Sequence, residues 1–397
     1  MEGLHAVSVR RPSVTAPELA LLCRVADPGA PAADLAARAA AVRDWPVLVA
    51  RAERHGVIPL LDRFLASHPE AAPPAAAADV RTRARVEAMQ SLTLAGELAT
   101  LTERLERAGV PSIALKGPAL GAVAYGDFAL RPQMDVDVLV HPEHVDRALT
   151  VLAQAGYAKH YALTPGQEAA FRGVEYHHAL VGEGGRSVEL HWGIIKRQFA
   201  LRGADALWWT GARTVSLGGR SVRTLSNEAT MVYLAIHGGK HEWPHLRWIG
   251  DIAAVARLTP MDWSAVERAS RALGTLRMTR LALSLALGVT DASLPDEARR
   301  LASGDPAVAP LVAEIRERLG GTGDHAGFVA STRFQLAVRE RAADKLAFVA
   351  RHAVTPNLDD LQTADVPPAW RGVYFVLRPV RLARRWSAVA IRRIRHA

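Results

Sequence analysis

Two aspartates separated by one residue, in Asp135-Val136-Asp137-Val138-Leu139-Val140, have the types and spacing to do chemistry. Strand side chains alternate faces with a period of two, so Asp135 and Asp137 project together while Val136, Val138 and Val140 turn to the core. Carboxylates this close repel unless a cation neutralises them. Paired oxygens suit Mg²⁺, a hard ion that binds through one or two carboxylates plus a substrate's phosphates. A third carboxylate lies in the alternating run Val188-Glu189-Leu190-His191-Trp192, where Glu189 and His191 share the face opposite Val188, Leu190 and Trp192. If that run pairs beside Asp135-Val136-Asp137, three carboxylates converge. They would suffice for two Mg²⁺ ions about 3.5–4 Å apart, clamping an in-line phosphoryl displacement. Glu189 is also a candidate base for the acceptor's proton.

Lys116-Gly117 supplies the phosphate side of this scheme. The glycine lets backbone N–H groups approach an oxyanion at a helix start, and the lysine adds a point charge. Only five of the 49 basic residues are lysines, so a lysine beside a glycine is less apt to be filler. Arg131 is placed either to contact a phosphate or to orient a carboxylate. Lys240 and His241 are candidates for nucleotide-phosphate or acceptor contacts, weighed against helix packing. His237 and His241 also have zinc spacing, but neither a nearby cysteine nor an HExxH acid supports zinc. His177 and His178 sit on a strand, where packing roles are favoured. Trp208, Trp209, Trp243 and Trp248 are more in keeping with core than with base stacking.

These residues need elements to position them. Helical spacing runs through Leu19, Leu22, Trp45, Leu48, Ile58, Leu61 and Phe64, and residues 81–107 read as one long helix, with 71–76 as a loop. After Gly109 a short β-rich run, 110–115, ends at Lys116-Gly117-Pro118, and Pro118 opens a helix through Val123. Residues 175–181 and 186–192 form a hairpin across Gly182-Glu183-Gly184-Gly185, and 213–217 with 221–225 form a second across Gly218-Gly219. From Ser226 helical periodicity returns, with buried helices over 245–258 and 276–287 and a subdivision near 305.

At 397 residues, with 49% hydrophobic and 22% charged residues, two or three domains are expected. No apolar run reaches the roughly eighteen residues of a spanning helix. Residues 1–12 carry arginines without an apolar run and cleavage site, and a lone cysteine, Cys23, forms no internal disulfide, so a cytoplasmic protein is expected. The charge of +9 is weighted to the C-terminus, where Arg378, Arg381, Arg384, Arg385, Arg392, Arg393 and Arg395 alternate with Tyr374, Leu377, Leu382, Trp386 and Ile391. That pattern fits a basic amphipathic helix on an anionic membrane or RNA, or a solvated face docked on the body.

Lys116-Gly117, Tyr125-Gly126-Asp127, Arg131, the Asp135/Asp137 strand, Val188-Glu189-Leu190-His191-Trp192 and His237-x-x-Lys240-His241-x-Trp243 together resemble the uncharacterised bacterial nucleotidyltransferase family of the DNA polymerase beta superfamily. The resemblance covers residues 110–252. Most of the superfamily has Gly-Ser after the first strand and a shorter gap to Asp-x-Asp; Lys-Gly and a longer gap resemble the toxins of abortive-infection type. The resemblance implies an α+β fold: a minimal nucleotidyltransferase core, a mixed β-sheet flanked by helices, with helical N-terminal and C-terminal regions. The regions expected are 1–95 (helical), 96–225 (core), 226–305 (helical partner) and 306–397 (helical with basic tail). The implied activity is transfer of a nucleoside monophosphate from an NTP such as ATP to an undefined acceptor, with release of pyrophosphate. Asp135, Asp137 and Glu189 take the metal and catalytic positions for Mg²⁺ or Mn²⁺. Lys116, Gly117, Arg131, Lys240 and His241 are the nucleotide-binding candidates. No stable DNA partner is expected. Two alternatives stand beside it: a catalytically silent module docking on RNA, a membrane or a partner enzyme through its tail, and transfer to a tRNA end.

Overall fold

The computed structural model describes residues 16–199, 201, 205–321 and 327–382. Seven strands, β1 (Ser112–Ala114), β2 (Val136–Val140), β3 (Ala158–Lys159), β4 (His177–Val181), β5 (Ser187–His191), β6 (Arg213–Leu217) and β7 (Arg220–Thr224), form one mixed sheet in the order β3-β4-β5-β2-β1-β7-β6. Both hairpins expected from the glycine-rich turns are present, β4 with β5 and β6 with β7, each antiparallel. β2 lies antiparallel to β1 and parallel to β5. The fold is α+β.

Alternation along β2 and β5 gives the sheet two different faces. Val136, Val138, Val140, Val188 and Leu190 pack on Leu94, Leu98, Leu101 and Leu105 of the helix Pro74–Arg107 and on Val145, Ala148 and Leu152 of the helix Val145–Gln154. Each fully buried valine or leucine contributes about 1.5–3 kcal/mol, so this layer fixes the strands' orientation. Ile113 and Leu139 face the other way, into a cluster built from N-terminal helices and the helices after residue 226. That cluster runs from Leu19 to Val338 and crosses residue 305 without a break in packing.

Two elements differ from expectation. The long helix starts at Pro74, taking in residues read as loop, because Pro74 sits at its first turn and alanines, the best helix formers, follow. After one turn at Pro118–Leu120 the chain winds more loosely, as a π-helix over Gly121–Tyr125, where an α-helix through Val123 was expected. The helix Asn227–His241 begins as expected, with Ser226 Oγ accepting the Ala229 N–H at 3.1 Å. It ends in Glu242 and Trp243, both at positive φ, where Trp243 folds back on Gly238; a Cβ there would meet the indole at 2.4 Å.

The C-terminal segment is anchored through Phe171, Leu361 and Tyr374. Arg378 and Arg381 each reach the buried Asp360 carboxylate at 2.9 Å, so the first two arginines of the basic stripe hold the chain to its own body. Arg384, Arg385, Trp386, Ile391, Arg392, Arg393 and Arg395 lie outside the described residues. No helix among the described residues is long and apolar enough to cross a membrane.

Candidate active site

The acidic residues lie where β2 and β5 run in parallel. Register sets Asp137 directly opposite Glu189, and Asp135 precedes β2 by one residue. One oxygen from each of Asp135, Asp137 and Glu189 falls within 4.8 Å of the others. Asp137 is only 2% exposed, because the strand carrying it is covered on both faces.

Lys116, two residues past β1, brings its ammonium to Asp135 Oδ1 at 3.1 Å and Asp137 Oδ2 at 2.5 Å. The shorter contact is an ion pair by distance rather than a well-directed hydrogen bond. Burial disfavours the ammonium, but Asp137, Asp135 and Glu189 outweigh it and push Lys116 above the usual lysine range. Expected on the phosphate side, Lys116 instead sits against the two aspartates. Gly117 has φ 68, a conformation that favours glycine, and a Cβ there would lie 3.2 Å from Gln133 Oε1. It packs behind the cleft wall rather than in it.

Arg131 is 3% exposed, and its Nε and Nη2 each donate to Asp251 at 2.8 Å. Tyr125 Oη donates to the same carboxylate at 2.8 Å. Of the two roles open to Arg131, orienting a carboxylate is the one visible here, and that carboxylate is Asp251 on the helix Leu246–Val255.

Lys240, on the last turn of Asn227–His241, donates to Tyr176 Oη at 2.6 Å. Burial, reinforced by the charge of Lys196, brings its ammonium down to about 8. His241 is exposed at the lip and packs edge-on against Trp248, with centroids 5.4 Å apart. His237 meets the same indole at 4.5 Å. Trp208 and Trp243 are core residues, as expected, whereas Trp248 lines the cleft.

His191 Nε2 lies 3.1 Å from Glu189 Oε2 and 3.3 Å from Asp137 Oδ1. Burial opposes protonation of His191, but the two carboxylates outweigh it and raise its pKa. Burial likewise opposes the charge on Glu189; the hydrogen bond and charge of His191, with His177 and Lys116, hold it at about 2. Asp135, Asp137, Glu189, His191, Lys116, Arg131, Lys240 and His241 line one cleft of about 500 Å³, within the roughly 300–1,000 Å³ of small-molecule sites.

Tyr176, Lys196, Tyr233 and Arg247 also line the cleft without a motif in the sequence to mark them, and so does His177, for which a packing role is expected. His177 lies opposite His191 in the β4/β5 hairpin because Arg186 joins the turn; counting outward from Gly182-to-Gly185 alone pairs His177 with Leu190 instead. His178, on the other face, is buried with Nε2 2.9 Å from Glu168 Oε1.

The profile of a family described as uncharacterised nucleotidyltransferase matches residues 41–289, well over half of the chain. The chain belongs to this nucleotidyltransferase family. Its enzymatic class is thereby nucleotidyl transfer, carried out with a nucleotide substrate. Two solved structures are similar at low level. The antibiotic-resistance factor ANT(2'')-Ia is 15% identical, with 46% of this chain and 91% of that chain covered and a TM-score of 0.32. An antigenic nucleotidyltransferase-like protein from Paracoccidioides brasiliensis is 19% identical, with 52% and 95% covered and a TM-score of 0.32. No curated protein matches the chain.

Proposed function

We propose that this nucleotidyltransferase requires Mg²⁺ or Mn²⁺ and transfers a nucleoside monophosphate from an NTP to a hydroxyl or phosphate of its acceptor. The acceptor is a small molecule, a peptide or protein, or a glycan precursor. The observation that supports this reading most is the placement of Glu189 opposite Asp137, beside Asp135, on the floor of a cleft lined by cations. Three carboxylate oxygens within 4.8 Å form an all-oxygen donor set that fits a hard dication. Such an ion, when bound, neutralises phosphate charge and lowers the pKa of the acceptor hydroxyl.

The chain's own groups have separable tasks. Lys196, Lys240 and Arg247 line the cleft and offer positive charge to a triphosphate, while Lys116 stays on the two aspartates. Trp248, His237 and His241 form an aromatic wall where a nucleobase can stack. Glu189, held at about 2, is suited to remaining charged as a ligand and is a weak proton acceptor at neutral pH. In the reaction the acceptor oxygen, a hydroxyl's proton passing to solvent, bonds to the α-phosphorus as the bond to the bridging oxygen breaks, and pyrophosphate leaves with that electron pair.

The test is pyrophosphate release from each NTP with Mg²⁺ and fractionated cell extract as the acceptor source, followed by mass spectrometry for an added nucleotide. Asp135→Asn combined with Asp137→Asn is expected to abolish release while circular dichroism stays that of the wild type. Full activity in that double variant would overturn the assignment.

A further inference from the structure

His177 and His191 occupy directly opposite positions of the β4/β5 pair, and their rings stack with centroids 5.1 Å apart and planes 22° apart. Both turn Nε2 toward Glu189: His191 to Oε2 at 3.1 Å and His177 to Oε1 at 3.6 Å. One N–H on His191 cannot serve both Glu189 and Asp137 well. At 3.6 Å, His177 is beyond hydrogen-bond reach of the carboxylate it faces. Nδ1 of each ring is buried without a partner. A buried ring nitrogen without a partner calls for an explanation, since polar atoms in such places are almost always paired. Neighbouring His178 shares the unpartnered Nδ1, but its Nε2 lies at hydrogen-bond distance from Glu168, where that of His177 reaches no acceptor so closely.

One ring nitrogen from each histidine and one oxygen of Glu189 lie within 4.8 Å of one another. Small side-chain adjustments bring three such donors onto one ion, whose bonds to nitrogen and oxygen are about 2.0–2.2 Å long. The Lys116 ammonium makes its contacts with Asp135 and Asp137 and reaches Glu189 only through its charge, so this side of Glu189 has no direct contact from it.

We propose that His177, Glu189 and His191 form a nitrogen-containing site for a first-row transition dication of the Mn²⁺ to Zn²⁺ class, sharing Glu189 with the Asp135/Asp137 position. Imidazole is a borderline donor that suits such ions, whereas Mg²⁺ prefers oxygen and gives up its waters reluctantly. The two positions therefore differ in kind: the aspartate side is an oxygen site, the histidine side a mixed one. The role of the second ion, beside the nucleotide, rests on the transferase reading above; its binding does not.

The experiment uses the full-length, metal-stripped protein. Pulsed electron paramagnetic resonance of the Mn²⁺-loaded wild type is expected to show nitrogen couplings from coordinated imidazole. Titration with Co²⁺ as a visible-absorption probe, in excess Mg²⁺, is expected to give binding that His177→Gln and His191→Gln each weaken. The loss should be at least about ten-fold, since changes merely to a ligand's supporting partners cost about 10–100-fold. Mg²⁺ affinity, read by calorimetry, should fall less than Co²⁺ affinity in His177→Gln, whose ring approaches only Glu189 of the oxygen set, whereas His191→Gln, which also loses a contact to Asp137, weakens both. Circular dichroism reports whether each variant folds, and the resonance measurement needs no variant at all. Absence of nitrogen coupling in the wild type, or Co²⁺ affinity unchanged in folded His177→Gln, overturns the proposal while pyrophosphate release still supports the transferase reading. Failure of pyrophosphate release with every metal, with nitrogen coupling intact, overturns that reading and leaves this site standing.

Discussion

Lys116 is the residue on which the cleft's charge balance turns. Its ammonium is the nearest counter-charge to Asp135 and to the fully buried Asp137 side chain. Lys116→Met leaves those carboxylates uncompensated, and removing one partner of a buried pair costs about 3–5 kcal/mol. The variant's melting temperature in EDTA is therefore expected to fall clearly below wild type and to recover with Mg²⁺ or Mn²⁺, as a thermal-shift series will show. Lys240 has a different signature. With its ammonium brought from 10.5 down to about 8, it is charged below that pH and loses charge as pH rises from 7 to 9. Affinity for a nucleotide triphosphate, measured by calorimetry, is expected to drop across that window. In Lys240→Met binding is weaker throughout and this pH dependence is gone. Both lysines were visible in the sequence because lysine is scarce there. What a lysine's ammonium touches was not visible, since a four-carbon stem reaches several partners.

At the scale of elements, the site depends on a register and a clamp. The register is the parallel pairing of β2 with β5, which no local pattern specifies: the two strands are separated by β3, β4 and two helices. Hairpin pairings, in contrast, follow from turn residues, which makes β4/β5 and β6/β7 legible, although Arg186 joins the first turn and shifts its register by one residue, so that the structure alone sets His177 opposite His191. The clamp is Arg131 to Asp251, which ties the segment before β2 to the helix Leu246–Val255 with both side chains almost fully buried. Asp251→Ala should cost about 3–5 kcal/mol by leaving the guanidinium buried and unpaired. Pairing it with Arg131→Met should restore much of that loss, and urea unfolding of the two variants measures the difference. If the double variant is no more stable than Asp251→Ala, the ion pair is not what Asp251 contributes.

Across the whole molecule, one apolar cluster joins N-terminal helices to those that follow residue 226, and the sheet is held between that cluster and the layer of Pro74–Arg107. The cleft therefore lies between a sheet face and the helix Asn227–His241, each seated in its own packed layer. Acid stability is expected to show the far edge of the sheet. Burial works against the charge on Glu168, but hydrogen bonds from His178, Lys159 and Arg172 outweigh it and hold its carboxyl well below the ordinary range. A depressed carboxyl contributes stability that is complete above its unfolded value of 4.5 and is lost as pH falls below it. Urea midpoints measured between pH 6 and 3 should fall at the acid end, and Glu168→Gln should flatten that part of the profile.

The sequence by itself determined the chemistry on offer: Asp135 and Asp137 on one face, Glu189 and His191 on one face, helical regions at both ends, and two hairpins. These follow from periodicity and turn residues, which are local properties of the chain. Only the tertiary structure decided that Asp137 lies opposite Glu189, that Arg131 belongs to Asp251, and that Arg378 and Arg381 belong to Asp360. Each of those pairings joins residues far apart in sequence, and distant segments meet only where burial of both apolar layers leaves them side by side.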